Sequence, residues 1–159
     1  MSLSRVWFGV RIGTWLLWLP IALHVRALPR LLEQASRAGR SRGRAKEIAL
    51  PRALAIVSRI SRLRLFELPL FPKACLRRSL ALYHALPLLG HDPEIHFGVR
   101  KDRTRLHAHS WVTLAGRPLG ETEPQDAFQK IFSYPGVERA QASFRRRTDN
   151  QLRSGKESE

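Results

Sequence analysis

Cysteine is almost absent: Cys75 is the only one in 159 residues. A lone thiol excludes an internal disulfide framework and an all-cysteine zinc cluster, and it suits a reducing cytoplasm, which is the expected location. Acidic residues are scarce too, 13 against 28 lysines and arginines, which leaves a net charge of +15. Such a chain is drawn to acidic partners, whether peptide, anionic membrane surface or nucleic acid. No recognition-helix, RNP-like or zinc-finger pattern accompanies the charge, so dedicated nucleic-acid binding is not expected. Glycine-rich phosphate loops and internal repeats are missing, and no cofactor is expected. The densest apolar run, Ile12 to Val25, is bounded by Arg11 and Arg26 and contains Pro20. It is shorter than the roughly 20 residues a spanning helix needs, and no small-residue cleavage site follows it.

The length suits one domain with a real core. Residues 1–45 read as N-terminal apolar helices and a basic linker, 46–144 as the main domain, and 145–159 as a disordered basic tail that opens on Arg145-Arg146-Arg147. The stretch from Val6 to Leu32 carries Trp7, Trp15 and Trp18. It predicts two amphipathic helices that pack on the domain or dock a partner, with membrane-surface contact as the alternative. Arg37 to Lys46 reads as the linker. Ile48, Leu50, Leu54, Val57 and Ile60 form the apolar stripe of a core helix from about Lys46 to Leu65.

After Pro72, the recurrence of Leu76, Leu80 and Tyr83 predicts a helix with Cys75 in its first turn. The pattern then changes to period two. Ile95, Phe97 and Val99 share one face of a strand, and Glu94, His96 and Arg100 the other. A second strand alternates His107, His109, Trp111 and Thr113 with Leu106, Ala108, Ser110, Val112 and Leu114. Farther on, Pro124 is expected to open a short helix through Phe128, Ile131 and Phe132. The fold class is therefore α+β: N-terminal helices, then an antiparallel sheet packed on the cysteine-bearing helix.

At a helix start, beside Lys73, Arg77 and Arg78, a thiolate would be favoured. The plainer reading is an inert buried thiol. His109 is the candidate base and Glu121 the candidate carboxylate. A three-residue loop at Ala115-Gly116-Arg117 would set Glu121 opposite Trp111 and diagonal to His109. The same closure sets Glu123 opposite His109, but that residue precedes Pro124, where the strand ends. A two-residue loop would turn Glu121 to the other face. His107-Ala108-His109 also admits a metal-dependent hydrolase, because two imidazoles then share a face.

Several of these motifs together resemble a known family, the transglutaminase-like leader peptidases of lasso-peptide biosynthesis, related to the microcin-processing proteins. The likeness rests on Cys75 with its following arginine, Ser79-Leu80-Ala81-Leu82, Phe97-Gly98-Val99-Arg100, His109-Ser110-Trp111-Val112 and Gly116-Arg117, over roughly residues 60 to 125. It implies a transglutaminase-like or papain-like fold and a triad of Cys75, His109 and Glu121. It also implies hydrolysis of the bond between leader and core in a precursor peptide. The family's carboxylate is aspartate, and alanine is common where Ser110 stands, so the chain departs from the pattern at both positions. The implied partners are the precursor, a separate leader-binding protein and the lasso cyclase. A catalytically dead adaptor of the same fold is the rival from another class.

Overall fold

The apolar face that begins at Leu76 continues through a helix that is covered on every side. In the computed structural model, which describes residues 3–40, 48–103, 105–120 and 125–135, this helix is α4, Ala74–Leu88. Three helices precede it: α1 (Leu3–Val25), α2 (Leu28–Arg40) and α3 (Leu50–Ser61). Leu80, Ala81, Leu82, Tyr83, Ala85, Leu86 and Leu88 are all buried, as expected for a helix apolar around its whole circumference. Its end is closed by paired bonds, His91 N–H to the Leu86 carbonyl and Gly90 N–H to the Pro87 carbonyl, both 3.1 Å.

The helices cover one side of α4. Phe8, Ile12, Leu16 and Leu19 of α1, Leu31 and Leu32 of α2, and Ala53 and Val57 of α3 share one core with α4. The N-terminal helices therefore pack on the domain. Pro20 does not interrupt α1 as the sequence suggested: the helix runs through it for 23 residues, and a proline's lost hydrogen bond is outweighed where the flanking turns are buried. By length and composition α1 is thus long and apolar enough to cross a membrane, although a third of that stretch is buried. Its outer face leaves Leu3, Val10, Ile21 and Val25 exposed. The expected basic linker is also shorter than predicted. Arg37 lies inside α2 and pairs with Glu33 one turn earlier at 2.7 Å, and residues 41–47 lie outside the described residues. So does the basic tail.

The sheet covers the other side. Among the described residues its order is β3-β2-β1-β4, with β1 Pro93–Asp102, β2 Arg105–Leu114, β3 Arg117–Pro118 and β4 Gln129–Tyr134, all neighbours antiparallel. Ile95 and Val112, paired across β1 and β2, enter the α4 core. Two expectations fail here. The predicted helix through Phe128 and Phe132 is a short turn, Gln125–Ala127, followed by strand β4. Pairing with the open edge of β1 overrides local helical spacing. Phe132 falls opposite Phe97, with ring centroids 5.7 Å apart, and Tyr134 opposite Ile95. The β2–β3 connection closes in two residues, not three, because Leu114 pairs directly with Arg117. Ala115 and Gly116 both take positive φ, 50° and 75°, the conformation that matches the twist of a tight hairpin.

Two buried histidines tie the fold to pH. Burial, aided by the Arg11 cation, pushes His84 down to about 3. Burial, aided by Lys130, pushes His96 to about 4. An unfolded histidine titrates near 6.5, so on acidification the unfolded chain takes up protons that the folded chain refuses. The stability is whole above about pH 6.5 and drains as pH falls toward 4, at up to about 1.4 kcal/mol per pH unit for each ring. Thermal midpoints measured from about pH 7 to 5 should therefore fall, and His84→Phe, which keeps a ring against Trp15, should make the fall shallower.

Candidate active site at the start of α4

Cys75 is the second residue of α4 and is half-buried. Lys73 precedes the helix without a side-chain cap, so the first-turn amide groups face outward. The two arginines that follow do not both crowd the thiol, as the sequence suggested. Arg77 is buried and donates through Nε to the Ser61 carbonyl at 3.1 Å, and through Nη1 to the carbonyls of Phe66 and, at 3.3 Å, Pro72. It organises the segment leading into the helix. Arg78 donates through Nη2 to the Gly120 carbonyl.

One turn on, the Ser79 hydroxyl donates to the Ser110 carbonyl at 2.7 Å. This bond fixes the helix against β2. Strand carbonyls alternate between neighbours. The Val112 carbonyl accepts from Leu119 N–H on the β3 side at 2.9 Å, so the Ser110 carbonyl points the same way, past the end of β3. In a continued ladder the next residue along β3 would meet it; here the acceptor takes Ser79. One turn further along α4, the Tyr83 ring meets Tyr134 at 6.2 Å, in the row of Ile95 and Val112. The helix and β2 therefore advance in the same sense. One turn back, about 5.4 Å along the axis, Cys75 comes alongside the His109 end of the strand. The start of α4 and the His109 end of β2 therefore lie on the same side of the Ser79–Ser110 bond.

The imidazole itself belongs to the other face of the sheet. His109 pairs with Gly98 and shares its face with Trp111. Its ring lies 6.0 Å from Trp111, nearly parallel, and 5.1 Å from Phe128. Gly98 makes room for this cluster: a Cβ there would come within 3.0 Å of both Phe128 and the Trp111 ring. Arg100 caps it, 4.8 Å above Phe128. His96 sits beside Trp111 and shares a 2.8 Å hydrogen bond with the Thr113 hydroxyl.

Glu121 and Glu123 lie outside the described residues. The register proposed for Glu121 does not survive, however, because two-residue closure would put position 121 opposite Ser110, away from the His109 face. β3 spans only Arg117–Pro118 among the described residues, and Gly120 takes a positive φ of 65°. Among the described residues no three His, Cys, Asp or Glu side chains gather, and His107 is exposed opposite Arg100. Sequence reasoning missed Arg78 and Ser79 as positioning residues, although both follow Cys75 at the spacing of one helical turn. It also missed Phe128, which had been assigned to a helix.

A family model for the transglutaminase-like superfamily matches residues 15–133. No curated protein and no solved structure matches the chain.

The grip of Arg78 on Gly120 predicts a tightly constrained corner. A Cβ at position 120 would lie 2.6 Å from the Arg78 guanidinium, on a backbone that side chains rarely adopt. Gly120→Ala should cost about 1–3 kcal/mol in denaturant unfolding, whereas Arg78→Ala should cost less while loosening the corner, visible as faster amide exchange at Leu119 and Gly120.

Proposed function

The chain belongs to the transglutaminase-like superfamily, which includes cysteine proteases, and on that premise we propose that it is a cysteine peptidase removing the leader from a ribosomally made lasso-peptide precursor. The supporting observation is the Ser79–Ser110 bond, which ties the helix that opens on Cys75 to the strand that carries His109. The Cys75 thiolate attacks the scissile carbonyl, and its own backbone amide donates to the developing oxyanion. His109, its ring turned from Trp111 and Phe128 toward the thiol, takes the thiol proton and returns it to the departing amine. Water then attacks the thioester, with His109 again as base, releasing the acid and restoring the thiol. Glu121 is the proposed orienting carboxylate, and Arg78 would act through the carbonyl just ahead of it.

Exposed Leu63, Leu65, Leu68 and Leu70, in the segment that leads to Cys75, offer apolar walls for a peptide. Recognition of the leader is assigned to a separate cytoplasmic leader-binding protein, docked on the outer face of α1, where Val10, Leu17 and Ile21 are exposed. The cyclase would join the same assembly. A second reading, a peptide-binding adaptor that keeps the fold without the chemistry, draws on the His109 ring being stacked against Phe128 and Trp111.

Incubation with a leader-bearing precursor and its leader-binding protein, followed by mass spectrometry, separates the two. Cys75→Ala and His109→Ala should each abolish cleavage while leaving circular dichroism unchanged, because nucleophile and base act as a unit. Glu121→Gln should lower turnover as well, since removal of an orienting carboxylate can cost on the order of 10⁴. Rapid labelling of Cys75 by iodoacetamide near neutral pH would favour the peptidase. Wild-type cleavage by either folded alanine variant would refute it.

A further inference from the structure

More than two helical turns along α4 from Cys75, a cleft of about 680 Å³ opens between α1, α2 and α4. Its size falls within the roughly 300–1,000 Å³ usual for small-molecule sites. Its walls carry a definite chemistry. Trp15 and Trp18 lie three residues apart on α1 and offer flat indole surfaces, while Arg11, Arg37 and Gln34 supply cationic and amide groups. Arg37 pairs with Glu33 at 2.7 Å, and the Arg11 guanidinium lies over the Trp7 ring, 5.5 Å from its centroid.

His84 also lines the cleft. It is 2% exposed and stacked on Trp15, with centroids 4.7 Å apart and planes 5° from parallel. Neither ring nitrogen has a hydrogen-bond partner; the Ala35 backbone approaches the ring without meeting hydrogen-bond geometry. An imidazole buried this way carries an uncompensated desolvation cost of about 1–3 kcal/mol unless whatever fills the cleft supplies a partner. In its neutral form the ring offers one donor and one acceptor.

We propose that this cleft is a binding site for a carboxylate carried on a flat apolar group, either a free aromatic acid or the end of a peptide that bears one. The aromatic body lies against Trp15 and Trp18, as indole faces favour planar partners. The carboxylate meets Arg11, whose planar fork matches it, and the buried His84 ring completes the polar floor. The site is separate from the thiol and does not depend on the peptidase assignment.

Isothermal titration of the full-length protein with 2-naphthaleneacetate and with neutral 2-naphthaleneacetamide tests this. The acid should bind saturably and about tenfold or more tighter than the amide, the discrimination expected of a charge-assisted contact. Arg11→Gln should abolish the difference between the two ligands, and Trp18→Ala, at a partly exposed position, should weaken both. Competition by N-acetyl-glycyl-tryptophan but not by its carboxamide would identify a peptide terminus as the source. Failure of that peptide alone, with the acid still bound, would identify a free acid. Equal affinity for acid and amide, no saturable binding at about millimolar concentration, or binding unaffected by both variants would overturn the proposal.

Discussion

The Ser79 hydroxyl on the Ser110 carbonyl is the contact on which the geometry of the site depends. The first turns of α4 reach β2 beyond the described end of β3, where the Ser110 carbonyl accepts from Ser79. A single buried bond of this kind contributes only about 1 kcal/mol net. Its importance is directional: it selects which turn of the helix faces which residue of the strand. A slip of one helical turn would bring Cys75 where Ser79 now lies, against Ser110.

Around that contact the molecule divides its polar work from its apolar work. The middle and end of α4 are enclosed by leucines, phenylalanines and alanines from three helices and the sheet. The start of α4 is held almost wholly by side-chain bonds to carbonyls, from Arg77, Arg78 and Ser79. Carbonyls in irregular segments need such partners, since no ladder provides them. The helix is thus anchored by burial along most of its length and aimed by hydrogen bonds at the end that carries the cysteine.

Much of this was legible in the sequence because periodicity reports burial. The spacing of Leu76, Leu80 and Tyr83 and the alternation through Ile95 and Phe97 each encode one neighbour's face, and both elements form where expected. Phe128 to Tyr134 misled because its aromatic residues satisfy helical and strand spacing alike; the choice lay with the open edge of β1, which no local pattern records. The hairpin loop misled for a different reason. Ala115 adopts a positive φ that its side chain disfavours, so turn propensity pointed toward a longer loop. Around the candidate site, the helix that opens on Cys75 and the strand of His109 were readable from their spacing. The orientation of the imidazole was not, because it depends on Phe128 seated over Gly98.

Arg77 carries a consequence for ligand binding. Its guanidinium gathers the carbonyls of Ser61, at the end of α3, and of Phe66 and Pro72, in the segment between α3 and α4, and its aliphatic stem is rooted in the helix of Cys75. The leucines exposed along that segment are therefore held on a scaffold shaped before any ligand arrives. A peptide that settles on them orders itself alone, and the loss of main-chain freedom that weakens binding to a slack loop is already borne by folding.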